Sequence, residues 1–222
     1  VRNVDTGHGM HIDDGHLVLQ AAAGGSGVAL GRLVYALDDL DARRDFRDLF
    51  GPYSDEDARA LERESVRLFT ETDCAIIMNF GGGGFGDAAV VPGPWEKNPR
   101  GIRRLDDWYE AHLLHPQYIH DLFGMQAEIA LANLEVLRQA LGDRVAVINI
   151  SGSDFGSQSG EIIAPAMYRS LYKPWHEALN DWVHGHTPWK THFHCCGSIV
   201  HLLDDFVDAG VDALNPVQVS AV

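Results

Sequence analysis

Four strand-like runs separated by helical patterns constrain this chain more than any other feature of it. Cys74-Ala75-Ile76-Ile77-Met78-Asn79-Phe80 and Val145-Ala146-Val147-Ile148-Asn149-Ile150 are nearly continuous apolar stretches. Such runs predict strands covered on both faces, as in a parallel sheet. Lys190 to Cys196 and Val211 to Asn215 are the other two. Ser54 followed by Asp55, Glu56 and Asp57 opens a helix, with a capping hydroxyl and acids where the macrodipole favours them. Leu61, Val66, Leu68 and Phe69 continue it as an apolar stripe. Residues 101–141 read as helical, with Pro116 near a helix start and Gly142 as the stop. Pro165 opens a helix running through Met167, Leu171, Trp175, Leu179 and Trp182, and a last helix runs from Ile199 to Ala209 before Gly210. Strands alternating with helices in this order predict a parallel α/β protein.

In such proteins the chemistry gathers at the carboxyl ends of the strands. Four ends carry polar groups here: Asn79, Ser151 with Asp154, His194 with Cys196, and Asn215 with Gln218. The third is the most specific. Along an extended strand His192, His194 and Cys196 project to one side, and Phe193 and Cys195 to the other. Imidazole and thiolate are preferred partners of Zn²⁺, and a catalytic zinc needs about three protein ligands with one position open. His194 and Cys196 are therefore candidate metal ligands, with His192 as a further ligand or supporting donor. Gly197 permits a sharp turn, and Ser198 suits the N-cap of the following helix.

Gly81 to Gly86 formally contains G-x-G-x-x-G after a strand. A dinucleotide motif must open a helix, whereas Pro92 and Pro94 follow here, so a loop overhanging the site is expected. His112, His115 and His120 are expected on the helix surface, and Asp204, Asp205 and Asp208 on the wet face of the last helix. Residues 1–53 are rich in Gly and Asp with scattered His8, His11 and His16, and are expected to be mostly irregular and part of the same domain as residues 54–222.

Composition narrows the function. With a formal charge of −15 on 222 residues, a nucleic-acid or anionic-membrane surface is disfavoured, because both need a basic footprint. A small-molecule substrate is expected. Cys74, Cys195 and Cys196 make no disulfide framework and suit a reducing compartment, the cytoplasm by default. No run reaches the roughly 18 apolar residues of a membrane span.

Asp154-Phe155-Gly156-Ser157-Gln158-Ser159-Gly160, Ile163-Ala164-Pro165-Ala166-Met167-Tyr168, Lys173-Pro174, His194-Cys195-Cys196-Gly197-Ser198 and Gly210-Val211-Asp212-Ala213-Leu214-Asn215-Pro216-Val217-Gln218 resemble, in this order, successive motifs of the uroporphyrinogen decarboxylase superfamily. That superfamily also holds zinc-dependent methylcobalamin methyltransferases. The resemblance runs from about residue 50 to the end. It implies an α/β fold, a (β/α)₈ TIM barrel that is incomplete in this chain at both its N- and C-terminal strands.

Decarboxylases of the superfamily show a Phe-Asp-Ser-x-Ala-Gly loop and lack His-x-Cys at the strand end. This chain has Ser153-Asp154-Phe155-Gly156-Ser157-Gln158 and His194-x-Cys196, so it is more similar to the methyltransferase branch. The resemblance then implies Zn²⁺ held by His194 and Cys196, a third ligand cysteine beyond Val222, and a methyl group moving from methylcobalamin, or a corrinoid carried on a partner protein, to a thiol. Asp154 would orient the substrate or a ligand histidine, and Asn79, Gln158, Asn215 and Gln218 are candidate substrate-binding residues. A homodimer is compatible with this reading. The alternative is a uroporphyrinogen decarboxylase of porphyrin biosynthesis, in which Asp154 stabilises a protonated pyrrole. A metal-dependent hydrolase using His192-x-His194, or a barrel that only binds, fits less well.

Overall fold

The computed structural model describes residues 9–13, 16–20, 28–29, 40–46, 50–88, 101–216, 218, 220 and 221. Two compact units result, Val1–Leu40 and Asp41–Val222. In the first, β1 (Gly9–Asp13), β2 (His16–Gln20) and β3 (Val28–Ala29) form an antiparallel sheet. This corrects the expectation of irregular chain before residue 53. Asp13 pairs with His16, so the residues between them are Asp14 and Gly15, a dipeptide that favours two-residue hairpins. The Gly and Asp content of the stretch masks that signal in the sequence. The rest of the stretch up to residue 39, including His8, lies outside the described residues.

The second unit begins with α1 (Ala42–Phe46), a further departure from an irregular start. Next, α2 (Asp55–Glu71) has a reciprocal capping box: Asp57 N–H donates to Ser54 Oγ at 3.2 Å, and Ser54 N–H donates to the Asp57 carboxylate at 2.9 Å. It leads into β4 (Ile76–Asn79). Then come α3 (Leu105–Leu114) and α4 (Pro116–Leu141), the latter starting on proline and stopping at Gly142, whose φ is 53°. After β5 (Val145–Ser151), the helix expected from Pro165 onward is two helices, α5 (Pro165–Leu171) and α6 (Lys173–His186). Pro174 has no N–H to donate back to Ser170 O, and the chain breaks at Tyr172. The unit closes with β6 (Lys190–His194), a 3-10 turn at Val200–Leu202, α7 (Leu203–Asp208) and β7 (Ala213–Asn215).

The four strands are parallel in the order β4-β5-β6-β7, the same order as in the chain. Crossovers of one hand between strands in sequential order place every helix on one face of the sheet. That is the winding of a (β/α)₈ barrel, of which these strands are half, and not of an open doubly wound sheet. Burial follows. Ile148, Ile150, Phe193 and Cys195, on the helix side, are 0%, 1%, 0% and 1% exposed. Behind them Phe85, Phe123, Phe155, Tyr168, Tyr172, His176 and Phe206 pack ring against ring.

The opposite face is open. Ile77 is 65% exposed, so β4 is not covered on both faces as its apolar run predicts; an edge strand of half a barrel has only its helix side packed. Two surface assignments are also corrected. His112 is buried, its Nδ1 bonding to Trp108 O at 2.8 Å and its Nε2 to the Tyr172 hydroxyl at 2.5 Å. Asp205 is buried against Arg169 and Lys173.

Candidate metal centre

Alternation along β6 sets up the site. Thr191, Phe193 and Cys195 are buried towards the helices, while His192, His194 and Cys196 stand on the open face. His194 Nδ1 lies 2.8 Å from Asn215 Oδ1. A carbonyl oxygen can only accept, so Nδ1 carries the proton and Nε2 presents its lone pair. That lone pair faces the Cys196 sulfur at 3.2 Å.

The loop after β5 brings the third group. Asp154 accepts the Cys196 backbone N–H at 2.7 Å. One ligand atom each from Asp154, His194 and Cys196 lie within 4.8 Å of one another. The two loops meet through glycine: a Cβ on Gly197, whose φ is 85°, would lie 2.3 Å from the Gly156 carbonyl carbon. No other residue permits that approach. Ser198 N–H to Ser157 O at 2.8 Å and Phe155 N–H to Cys195 Sγ at 3.3 Å complete the seam. Ser198 thus spends its backbone on the seam, and Ile199 stands at the N-terminus of the 3-10 turn.

Oxygen, nitrogen and sulfur at this spacing fit a borderline cation such as zinc, and Asp154, His194 and Cys196 are the residues that would hold it. Burial, reinforced by the Asp154 charge and hydrogen bond, pushes the Cys196 thiol up. The pair therefore favours either a proton or a cation on sulfur. Cys195, on the other face, is pushed up to about 12 by burial and stays a thiol.

The other candidates are distributed as follows. His192 is outside the triad, its Nδ1 2.9 Å from the Asn149 carboxamide. Asn215 serves His194, and Gln218 Oε1 accepts the Gly197 N–H at 2.8 Å, bracing the turn. Asn79 is exposed at the end of β4, beside Asn149, and Gln158 is exposed on the β5 loop. Sequence reasoning missed Asn149, although a carboxamide inside an otherwise apolar strand was itself a signal. It also missed half-buried Tyr109, whose phenol is pushed up by burial and by the Asp154 charge.

The Gly81–Gly86 segment is a loop at the carboxyl end of β4, as expected. Two α4 side chains hold it: Asn133 Nδ2 donates to Gly81 O at 2.9 Å, and Gln126 Nε2 to Gly83 O at 2.8 Å.

Half a parallel β/α barrel with candidate metal ligands at its strand ends defines the class. The family model of uroporphyrinogen decarboxylase (URO-D) matches residues 93–216, more than half of the chain. The chain belongs to the uroporphyrinogen decarboxylase family. A solved structure of a methyltransferase from Methanosarcina mazei is similar with a TM-score of 0.48 and 15% identity, over 71% of this chain and 40% of that one. This chain thus spans well under half the length of that protein. A comparison with curated proteins finds no match. No helix among the described residues is long and apolar enough to cross a membrane.

Proposed function

We propose that the chain carries the metal centre of a zinc-dependent methyltransferase that moves a methyl group from a corrinoid to a thiol. The observation that carries this reading is the convergence of Asp154, His194 and Cys196, with ligand atoms within 4.8 Å of one another, where a metal-activated group must sit in this fold. Zinc, when bound, supplies the Lewis acidity that keeps a substrate thiol ionised near neutral pH. The chain's own residues do the rest. Asn215 holds the His194 ring with Nε2 outward, Gln218 braces the Gly197 turn, and Asp154 ties its loop to Cys196 while offering a carboxylate oxygen. The substrate is a small molecule, a corrinoid protein is the methyl-donating partner, and the compartment is the reducing cytoplasm, where Cys196 stays unoxidised.

The decarboxylase alternative needs Asp154 alone at the mouth beside a pyrrole. Here that carboxylate is engaged by Cys196 N–H, next to an imidazole and a thiol that decarboxylation does not use.

Metal analysis of purified protein tests the proposal. About one equivalent of zinc is expected, with His194→Ala and Cys196→Ala each retaining less than about one tenth. Wild-type protein as zinc-poor as either variant would overturn it.

A further inference from the structure

The open face of the sheet carries a notch next to the candidate ligands. His192 of β6 is the register partner of Ala213 of β7, and His194 is the partner of Asn215. Asn215 turns its carboxamide to the His194 ring on this face, so Ala213, two residues before it, shares the face. Ala213 is exposed and offers one methyl group, where its neighbours His192, His194 and Asn215 offer two rings and a carboxamide. A space the size of a side chain therefore lies over Ala213, about 7 Å below the level of His194 at the rise of a strand.

Hydrogen bonding fixes what faces that space. Ser151 O and His192 O are pure acceptors, so the Asn149 side chain turns its nitrogen to them, at 3.2 and 3.1 Å, and the same NH₂ group meets His192 Nδ1 at 2.9 Å. Nδ1 is then an acceptor, and the neutral ring carries its proton on Nε2. The two ring nitrogens point in nearly opposite directions, so a ring whose Nδ1 is turned to β5 sends its Nε2–H away from β5, out over Ala213. Asn215 adds a second donor. Its oxygen is taken by His194 Nδ1 at 2.8 Å, which leaves its NH₂ group to give protons and accept none. Among the described residues neither the His192 Nε2–H nor the Asn215 NH₂ has a partner.

We infer that the notch over Ala213 is a substrate subsite that receives the carboxylate of a small thiol whose sulfur is held at Asp154, His194 and Cys196. The inference rests on the metal-centre reading. His192 and Asn215 are separated by one strand spacing and a two-residue rise, about 8 Å, and a carboxylate that accepts one hydrogen bond at each oxygen spans about that distance. A carboxamide would satisfy one donor and set its own NH₂ against the other, and an ammonium would oppose both. An acceptor with no proton to give matches the pair.

Calorimetric titration of the zinc-loaded protein with 4-mercaptobutanoate, 4-mercaptobutanamide and pentane-1-thiol tests this. The carboxylate is expected to bind about 10-fold more tightly than the other two, the worth of one hydrogen bond to a charged group. His192→Phe removes the donor and keeps a ring, and Ala213→Val fills the notch; in both, the three affinities should converge to within about twofold while zinc content holds. His192→Gln, which restores an N–H near the place of Nε2, should recover part of the preference. Should His192→Phe fail to fold, the exposed Ala213→Val carries the comparison. Equal affinities in zinc-loaded wild type, or a preference that survives in the variants, would overturn the subsite and leave the metal centre standing. A protein that binds no zinc would overturn the metal centre instead. The subsite is then decided by titrating metal-free protein with butanoate while observing the His192 ring by NMR. A saturable shift, lost in Ala213→Val, supports the subsite, and no shift overturns it.

Discussion

Asn215 decides which nitrogen of His194 is available. With its oxygen 2.8 Å from Nδ1, it fixes the ring's proton and aims Nε2 at Cys196. Asn215→Ala should weaken zinc binding by about 10- to 100-fold, the usual cost of losing a partner behind a ligand histidine. Competition with a chromophoric chelator measures this, and Asn215→Asp, which keeps an acceptor, should recover most of the loss. Histidines as a class show why burial could not be assigned in advance. His112 and His194 both follow polar-looking patterns in sequence, yet one ends between Trp108 and Tyr172 and the other at the open rim. The difference lies in which distant side chain arrives beside each.

At the level of elements, the seam between the β5 and β6 loops holds the site together. Gly197 combines positive φ with a backbone approach that leaves no room for a methyl group. Gly197→Ala should lower stability by at least about 2 kcal/mol, from the left-handed conformation and the displaced Gly156 loop. It should also release Asp154 from Cys196, so zinc binding falls with it. The control is Gly185→Ala near the end of α6, where a Cβ meets nothing within 4 Å; it should raise stability by a few tenths to about 1 kcal/mol through helix propensity. Urea unfolding reads both. Element boundaries were legible wherever one residue enforces them locally: Ser54 with Asp57, Pro116, Gly142 and Pro165. The Tyr172 break was equally local, since Pro174 announces it, but the apolar stripe across it masked the signal. The β1–β2 hairpin is not legible in the same way, because its strands are short and Asp and Gly are as common in loops as in tight turns.

The stability of the whole molecule should fall in two steps as pH is lowered. His176 is fully buried among Phe85, Phe193, Tyr168 and Tyr172, with Tyr168 Oη 3.0 Å from Nδ1, and burial holds its imidazole down at about 3. The unfolded chain takes up that proton near pH 6.5, so the stability from neutral His176 is complete above 6.5 and is lost as pH falls towards 3. Burial pushes Asp212 up, but the Thr191 N–H, His184 and Lys190 together draw it down to about 2. Asp212 is exposed, so solvent screening holds its contribution to under about 1 kcal/mol, complete above about 4 and lost as pH falls towards 2. His176→Gln should flatten the stability curve between pH 6.5 and 4 without altering the lower step, and Asp212→Asn should do the reverse. A curve unchanged in both variants would refute the assignment.

From residue 54 onward the alternation of strands with helical stretches, the parallel class of the sheet and the placement of His194 and Cys196 on one face were all determined by the sequence alone. Each follows from a period or a cap acting within a few residues. Tertiary structure alone decided that Asp154 joins those two residues, that Asn215 and Gln218 brace them, and that Asn149 orients the His192 ring. These contacts bridge the ends of separate strands, and their existence depends on register and on two glycine backbones meeting, which no local pattern encodes.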